Sequence, residues 1–112
     1  MFKIFQVHYM NLFGTAMCNR RKIIDKNAKK LEKYVKKQIK LCVKKGRVKT
    51  DVIPLSYVIY ERGVDKEIRN KIYEETCETL NNFYGNEVDV IIIYDHYYST
   101  NITGLQATIN KV

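Results

Sequence analysis

Arg21–Lys45 reads RKIIDKNAKKLEKYVKKQIKLCVKK, and its apolar residues fall at one spacing. Ile24, Ala28, Leu31, Val35, Ile39 and Cys42 recur every three or four positions, which at about 100° per residue places them on one stripe of a helix. Ile23, Tyr34 and Leu41 widen that stripe on one flank. Lys22, Lys26, Lys29, Lys33, Lys36, Lys37, Lys40 and Lys44 land on the opposite side. Lys44 and Lys45 suit the negative end of a helix dipole, and Gly46 supplies a stop. The spacing predicts an amphipathic helix with one face for a core and one face of nearly pure lysine.

Working outward, Phe2–Met10 alternates loosely and predicts a first strand, followed by a connection over Asn11–Asn19 with Gly14, Thr15 and Asn19. Val52–Tyr60 is β-branched and aromatic and predicts a second strand, with Pro54 at an edge position near its start. Asp65 can cap a second helix running to Tyr84, with a buried stripe of Ile68, Ile72, Thr76 or Cys77, Leu80, and Phe83 or Tyr84. Gly85-Asn86 then turns the chain. Val88–Tyr94 is a continuous apolar run, the pattern of a strand covered on both faces or buried at a sheet centre. Thr103–Val112 alternates Leu105, Ala107 and Ile109 with polar residues and predicts a last strand on an edge. The order β-α-β-α-β-(β) predicts an α/β domain, two helices on a three- to four-stranded sheet with parallel crossovers. The alternative is a two-layer α+β arrangement, in which a turn at Asn101–Gly104 folds the last strand back as an antiparallel hairpin.

At 112 residues the chain is expected to form a single compact domain, large enough for one core without metal or disulfide staples. Nine tyrosines and the isoleucine-rich runs argue against a disordered tail. The three cysteines, Cys18, Cys42 and Cys77, are widely spaced with no C-x-x-C pair, so a zinc knuckle and a dithiol redox motif are excluded and a reducing compartment is expected. Gln6, His8 and Asn11 interrupt what would have to be the apolar core of a signal peptide. The longest apolar run, Val90–Tyr94, is too short to span a bilayer, so a cytoplasmic location is expected. No cofactor motif and no metal-ligand spacing is present.

The charge is uneven. From Arg20 to Lys49 there are fourteen basic residues against Asp25 and Glu32, a local net of +12, while the rest of the chain carries a net of −4. The overall +8 is therefore a property of one helix and its flanks. Part of the lysine content reflects a composition rich in Lys, Asn, Ile and Tyr, the residues that AT-rich codons favour. Concentrated charge attracts polyanions. Lysine is a mobile, hydrated point charge suited to phosphates at large, whereas base reading prefers Arg, Asn and Gln in fixed geometry. Arg20, Arg21 and Arg47 stand only at the ends of the lysine face. The expected partner is nucleic acid or an acidic protein surface. A membrane surface is not expected, because the core already claims the apolar stripe.

A second grouping follows if the strands are parallel. Their C-terminal ends would gather His8 and Tyr9, then Tyr60, Glu61 and Arg62, then Asp95 and His96 along one edge. A carboxylate pair with a histidine could hold a divalent cation or act as acid and base. Equally, polar residues collect at strand ends because those ends meet water. Tyr94, Tyr97 and Tyr98 surround this point, a composition of protein interfaces and of base-stacking surfaces alike. Asn101-Ile102-Thr103 matches a glycosylation sequon, which carries no meaning in a cytosolic chain.

The basic amphipathic helix, YVIYE at Tyr57–Glu61 and VDVIIIYDHYY at Val88–Tyr98 faintly resemble the RelE-like ribosome-dependent RNase toxins. That resemblance implies Arg62, His96 and Tyr97 or Tyr98 as catalytic residues. The chain departs from the family where the helical pattern Asp65–Tyr84 replaces a direct turn between strands.

Together these features lead to the expectation of a small basic binding protein that engages a polyanion through its lysine helix. An accessory regulator or inhibitor from a mobile element would suit this composition. The alternatives are a small nuclease or RNase toxin at Asp95 and His96, with Glu61 and Arg62 contributing, and a homo-oligomeric interaction module such as a homodimer.

Overall fold

A computed structural model describes residues 2–58, 64–98 and 100–111, with the helical backbone alone described for 2–10. The architecture is α+β. Helix α1 (Phe2–Lys44) and helix α2 (Lys66–Tyr84) pack on a two-stranded antiparallel sheet of β1 (Val88–Tyr94) and β2 (Ile102–Ile109).

Helix α1 ends where the glycine sits. Gly46 takes φ 72°, its N–H bonds to Val43 O at 3.0 Å, and Arg47 N–H bonds to Cys42 O at 2.9 Å. This paired closure satisfies the last carbonyls and needs a left-handed residue that glycine adopts without a Cβ clash. Helix α2 starts at Asp65, whose carboxylate accepts from Ile68 N–H at 2.8 Å, and stops at Gly85 with φ 58°. The stripe of α1, Ile24, Leu31, Val35, Ile39 and Cys42, is buried. It meets Ile68, Ile72, Tyr73 and Leu80 of α2 and Val88, Val90, Leu105 and Ala107 of the sheet in one core. Thr76 Oγ donates to Ala28 O at 3.4 Å and ties the two helices together.

In the sheet Val88 faces Ile109, Val90 faces Ala107 and Ile92 faces Leu105, the register slipping only between Ile93 and Tyr94. The segment 48–53 runs along the other edge of β2 through bonds from Thr50 N–H to Ala107 O (2.9 Å) and from Ile53 N–H to Leu105 O (2.7 Å). The free edge of β1 is blunted by Asn81, whose amide donates to Val90 O at 2.9 Å and accepts from Val90 N–H at 2.8 Å. Such side-chain pairing protects an edge from adding strands.

The β-α-β-α-β order with three or four strands does not form among the described residues. The expected first strand, Phe2–Met10, is helical and continuous with the lysine helix. Phe2, Phe5, Tyr9, Leu12 and Ala16 also recur at spacings of three and four, so the stretch carries both periods. No proline interrupts it, and Gly14 alone costs a helix only about 1 kcal/mol. The expected second strand, Val52–Tyr60, yields a bridge at Ile53 and then a 3-10 turn over Leu55–Tyr57. Pro54 has no N–H to give to a ladder, and Leu55 N–H is taken by the Tyr73 hydroxyl at 2.6 Å. Residues 59 and 60 of that stretch lie outside the described residues. The last two strands pair as the antiparallel hairpin.

Candidate nucleic-acid interface

The lysine face survives in three dimensions as an exposed face of α1. Lys22, Lys26, Lys29, Lys33, Lys37, Lys40 and Lys44 are exposed, and Lys30 joins them. From Lys22 to Lys44 the row runs about 33 Å at the helical rise of 1.5 Å per residue. Lys22, Lys29, Lys30, Lys33, Lys37, Lys40 and Lys44 have no acidic partner among the described residues. Lys36 is half-buried, its Nζ 3.8 Å from the centroid of the Phe83 ring and 3.7 Å from Glu32.

The arginines at the ends are paired. Arg20 reaches Asp65 at 3.6 Å and Glu67 at 3.2 Å, beside the start of α2. Arg21 bonds to Asp25 at 2.7 Å and to Glu75 of α2, and these acids, Glu75 first, hold its guanidinium above its ordinary pKa. Arg47 pairs with Asp51 at 3.3 Å. The planar fork of arginine favours such fixed carboxylate geometry. The division of labour is by residue type: Arg20 and Arg21 tie α1 to α2 and its cap, and most lysines of the row are left facing solvent.

Beside the row lies a groove of about 650 Å³ lined by Lys30, Lys33, Lys36, Lys37, Lys40, Tyr34 and Val58. Its walls are lysine stems, a valine and a tyrosine ring. Tyr34 is half-buried and stands edge-on to Tyr57, ring centroids 6.1 Å apart with 64° between planes. Lys30, Tyr34, Tyr57 and Val58 were not among the functional residues that the sequence singles out. The signal for Tyr34 was present, a tyrosine amid lysines, but its spacing also fits the flank of the apolar stripe.

The second grouping does not assemble as expected, because the strands are antiparallel and the first of them is helix. His8 and Tyr9 are on the helical stretch whose side chains are not described, and Tyr60, Glu61 and Arg62 lie outside the described residues. Asp95 accepts from the backbone N–H of Tyr97 at 2.8 Å and of Tyr98 at 3.2 Å. Its carboxylate thus shapes the loop between β1 and β2. His96 is exposed, edge-on to Tyr97 at 5.4 Å. Tyr97 and Tyr98 are largely exposed and distant in sequence from the lysine face. Among the described residues no group of three or more His, Cys, Asp or Glu is placed to hold a metal ion, and no helix is long and apolar enough to cross a membrane.

Comparison with protein-family models, characterised proteins and solved structures finds no match to this chain.

Proposed function

We propose that this is a small non-enzymatic binding protein that lays the lysine face of α1 along a polyanion, nucleic acid or a nucleoprotein, and grips phosphates without reading bases. One observation carries this reading: Lys22, Lys29, Lys30, Lys33, Lys37, Lys40 and Lys44 are exposed with no acidic partner among the described residues, while the neighbouring arginines are neutralised in place. Ammonium groups on flexible stems adapt to phosphates at variable positions, and release of condensed counterions supplies the driving force. Binding by occupancy is the mode of action such a face supports, as in an accessory regulator or inhibitor.

The test is the triple variant Lys33→Glu, Lys37→Glu, Lys40→Glu, titrated against mixed-sequence DNA and RNA with circular dichroism as the check on folding. All three side chains are exposed, so the fold stays intact while binding is lost. Undiminished binding by the folded variant would sink the proposal. A second reading, self-association, is favoured by the outer face of the sheet and its loop, where Ile91, Tyr94, Tyr97 and Tyr98 are exposed. Sedimentation that stays monomeric across a wide concentration range removes it.

A further inference from the structure

We infer that the groove beside the lysine row takes single-stranded nucleic acid, with unpaired bases against Tyr34 on the groove wall and against Tyr57, which stands edge-on beside Tyr34 outside the groove lining, and the phosphates on Lys30, Lys33, Lys37 and Lys40. This rests on the polyanion reading above and names the class of strand.

The helix itself sets the arrangement. Lys30 and Lys37 lie four residues before and three residues after Tyr34, so their stems flank its ring on one face. Tyr57 is 61% exposed, yet its backbone is fixed. Tyr57 N–H bonds to Pro54 O at 3.2 Å and Val58 N–H to Leu55 O at 3.0 Å, and Leu55 beneath them is buried. An exposed ring on a rigid turn loses little entropy when it stacks. The groove is apolar within and cationic at its rim. A duplex offers that interior nothing, since its base faces are already stacked and its surface is phosphate, sugar and base edge. An unpaired strand presents both a phosphate row and bare aromatic faces. Base–tyrosine stacking is tolerant of sequence because every base has a π-face, which suits a surface lacking base-reading side chains.

The experiment measures anisotropy of labelled strands of equal length and mixed sequence: single-stranded RNA, single-stranded DNA, the matching duplex, and an abasic strand carrying the same phosphates. Polyglutamate serves as the acidic-protein arm. The base-bearing single strands are expected to bind more tightly than the duplex and the abasic strand. A difference between the RNA and DNA arms tells which sugar the groove accommodates. Tyr57→Ser, a change at an exposed position, should weaken single-strand binding by about 5- to 150-fold, the range of a lost stacking contact, and leave abasic binding unchanged. Equal affinity for the abasic strand or duplex, or an unchanged Tyr57→Ser variant, overturns the base site while the lysine-face reading stands. Failure of every nucleic acid to bind, or tighter binding of polyglutamate, overturns both.

Discussion

Leu31 has no exposed surface and sits midway along the stripe that joins α1 to α2 and the sheet. Leu31→Ala removes buried methyl groups and leaves a cavity, a change that costs about 2–5 kcal/mol. For a domain whose whole stability is of order 5–15 kcal/mol, the thermal or urea midpoint must fall visibly; a midpoint that barely moves means α1 is not packed through this stripe. Tyr73 is a residue whose role only the structure reveals. Burial, partly offset by the bond from Leu55 N–H, raises its hydroxyl above the ordinary value of 10.0. The protonated form is the one the fold accommodates, so its contribution is complete below the unfolded value and is lost as pH rises through the folded one. Urea midpoints should therefore decline above about pH 10, in the range where an unfolded tyrosine ionises. Tyr73→Phe removes this titration and should flatten the decline; an unchanged slope would place the alkaline sensitivity elsewhere. Asn27 shows the limit of periodicity at this scale. It is fully buried on the apolar stripe, with its amide donating to Ile23 O, and a polar residue there is invisible to a hydrophobic pattern.

Elements were legible where local chemistry and packing agree. The sequence places β1 at Val88–Tyr94 and the second helix from an Asp65 cap to Tyr84, and the structure has both at those residues. An isoleucine run has few other uses, and a cap with a terminal glycine marks both ends of a helix. The first strand failed because Phe2–Met10 carries both periods and adjoins the strongest helix in the chain, which extends through it. Parallel topology failed because hydrophobic patterns do not encode strand direction. The contact that organises the edge of β2 was not legible at all, since it depends on Gly104. A Cβ on Gly104 would lie 2.6 Å from Ile53 O and 2.7 Å from Val52 Cγ1, so any side chain pushes the 48–53 segment off β2. Gly104→Ala should destabilise by roughly 1–3 kcal/mol, as overpacking does. It should also speed hydrogen exchange at Ile53 and Leu105, whose amides bond across this junction. Unaltered exchange at both amides would show that the junction yields without strain. At the candidate interface, spacing placed seven of its eight lysines on the exposed side of α1, but it missed Lys30 and included Lys36, which is half-buried. The groove wall was not legible, because Val58 reaches it only through the turn after Pro54.

The whole molecule is a rod with a body on one end. Its extents are 67 × 31 × 22 Å and its radius of gyration is 17.8 Å, against about 13 Å for a compact chain of this length. The long axis matches α1, whose 43 residues rise about 65 Å. Exposed Leu12, Phe13 and Met17 lie on the half that carries few charges, and the lysine row lies on the half that packs. Charge is thus displayed along a straight edge, a geometry that meets many phosphates in a row and few in a point cluster. Its signature is in salt dependence. For single strands, log K falls with log salt by about 0.7 for each phosphate neutralised. Lys29→Gln, Lys33→Gln and Lys37→Gln should each reduce that slope by about 0.7, with melting midpoints unchanged because these side chains are exposed and unpaired. Arg20→Gln should behave in the opposite sense. Its guanidinium is already matched by Asp65 and Glu67, so the slope stays put while the midpoint slips as the link between α1 and the start of α2 weakens. The two measurements on the two residue types separate a polyanion surface from a fold-holding one. Slopes that fall with Arg20→Gln but not with the lysine variants would move the binding surface off the lysine face and onto the junction of the two helices.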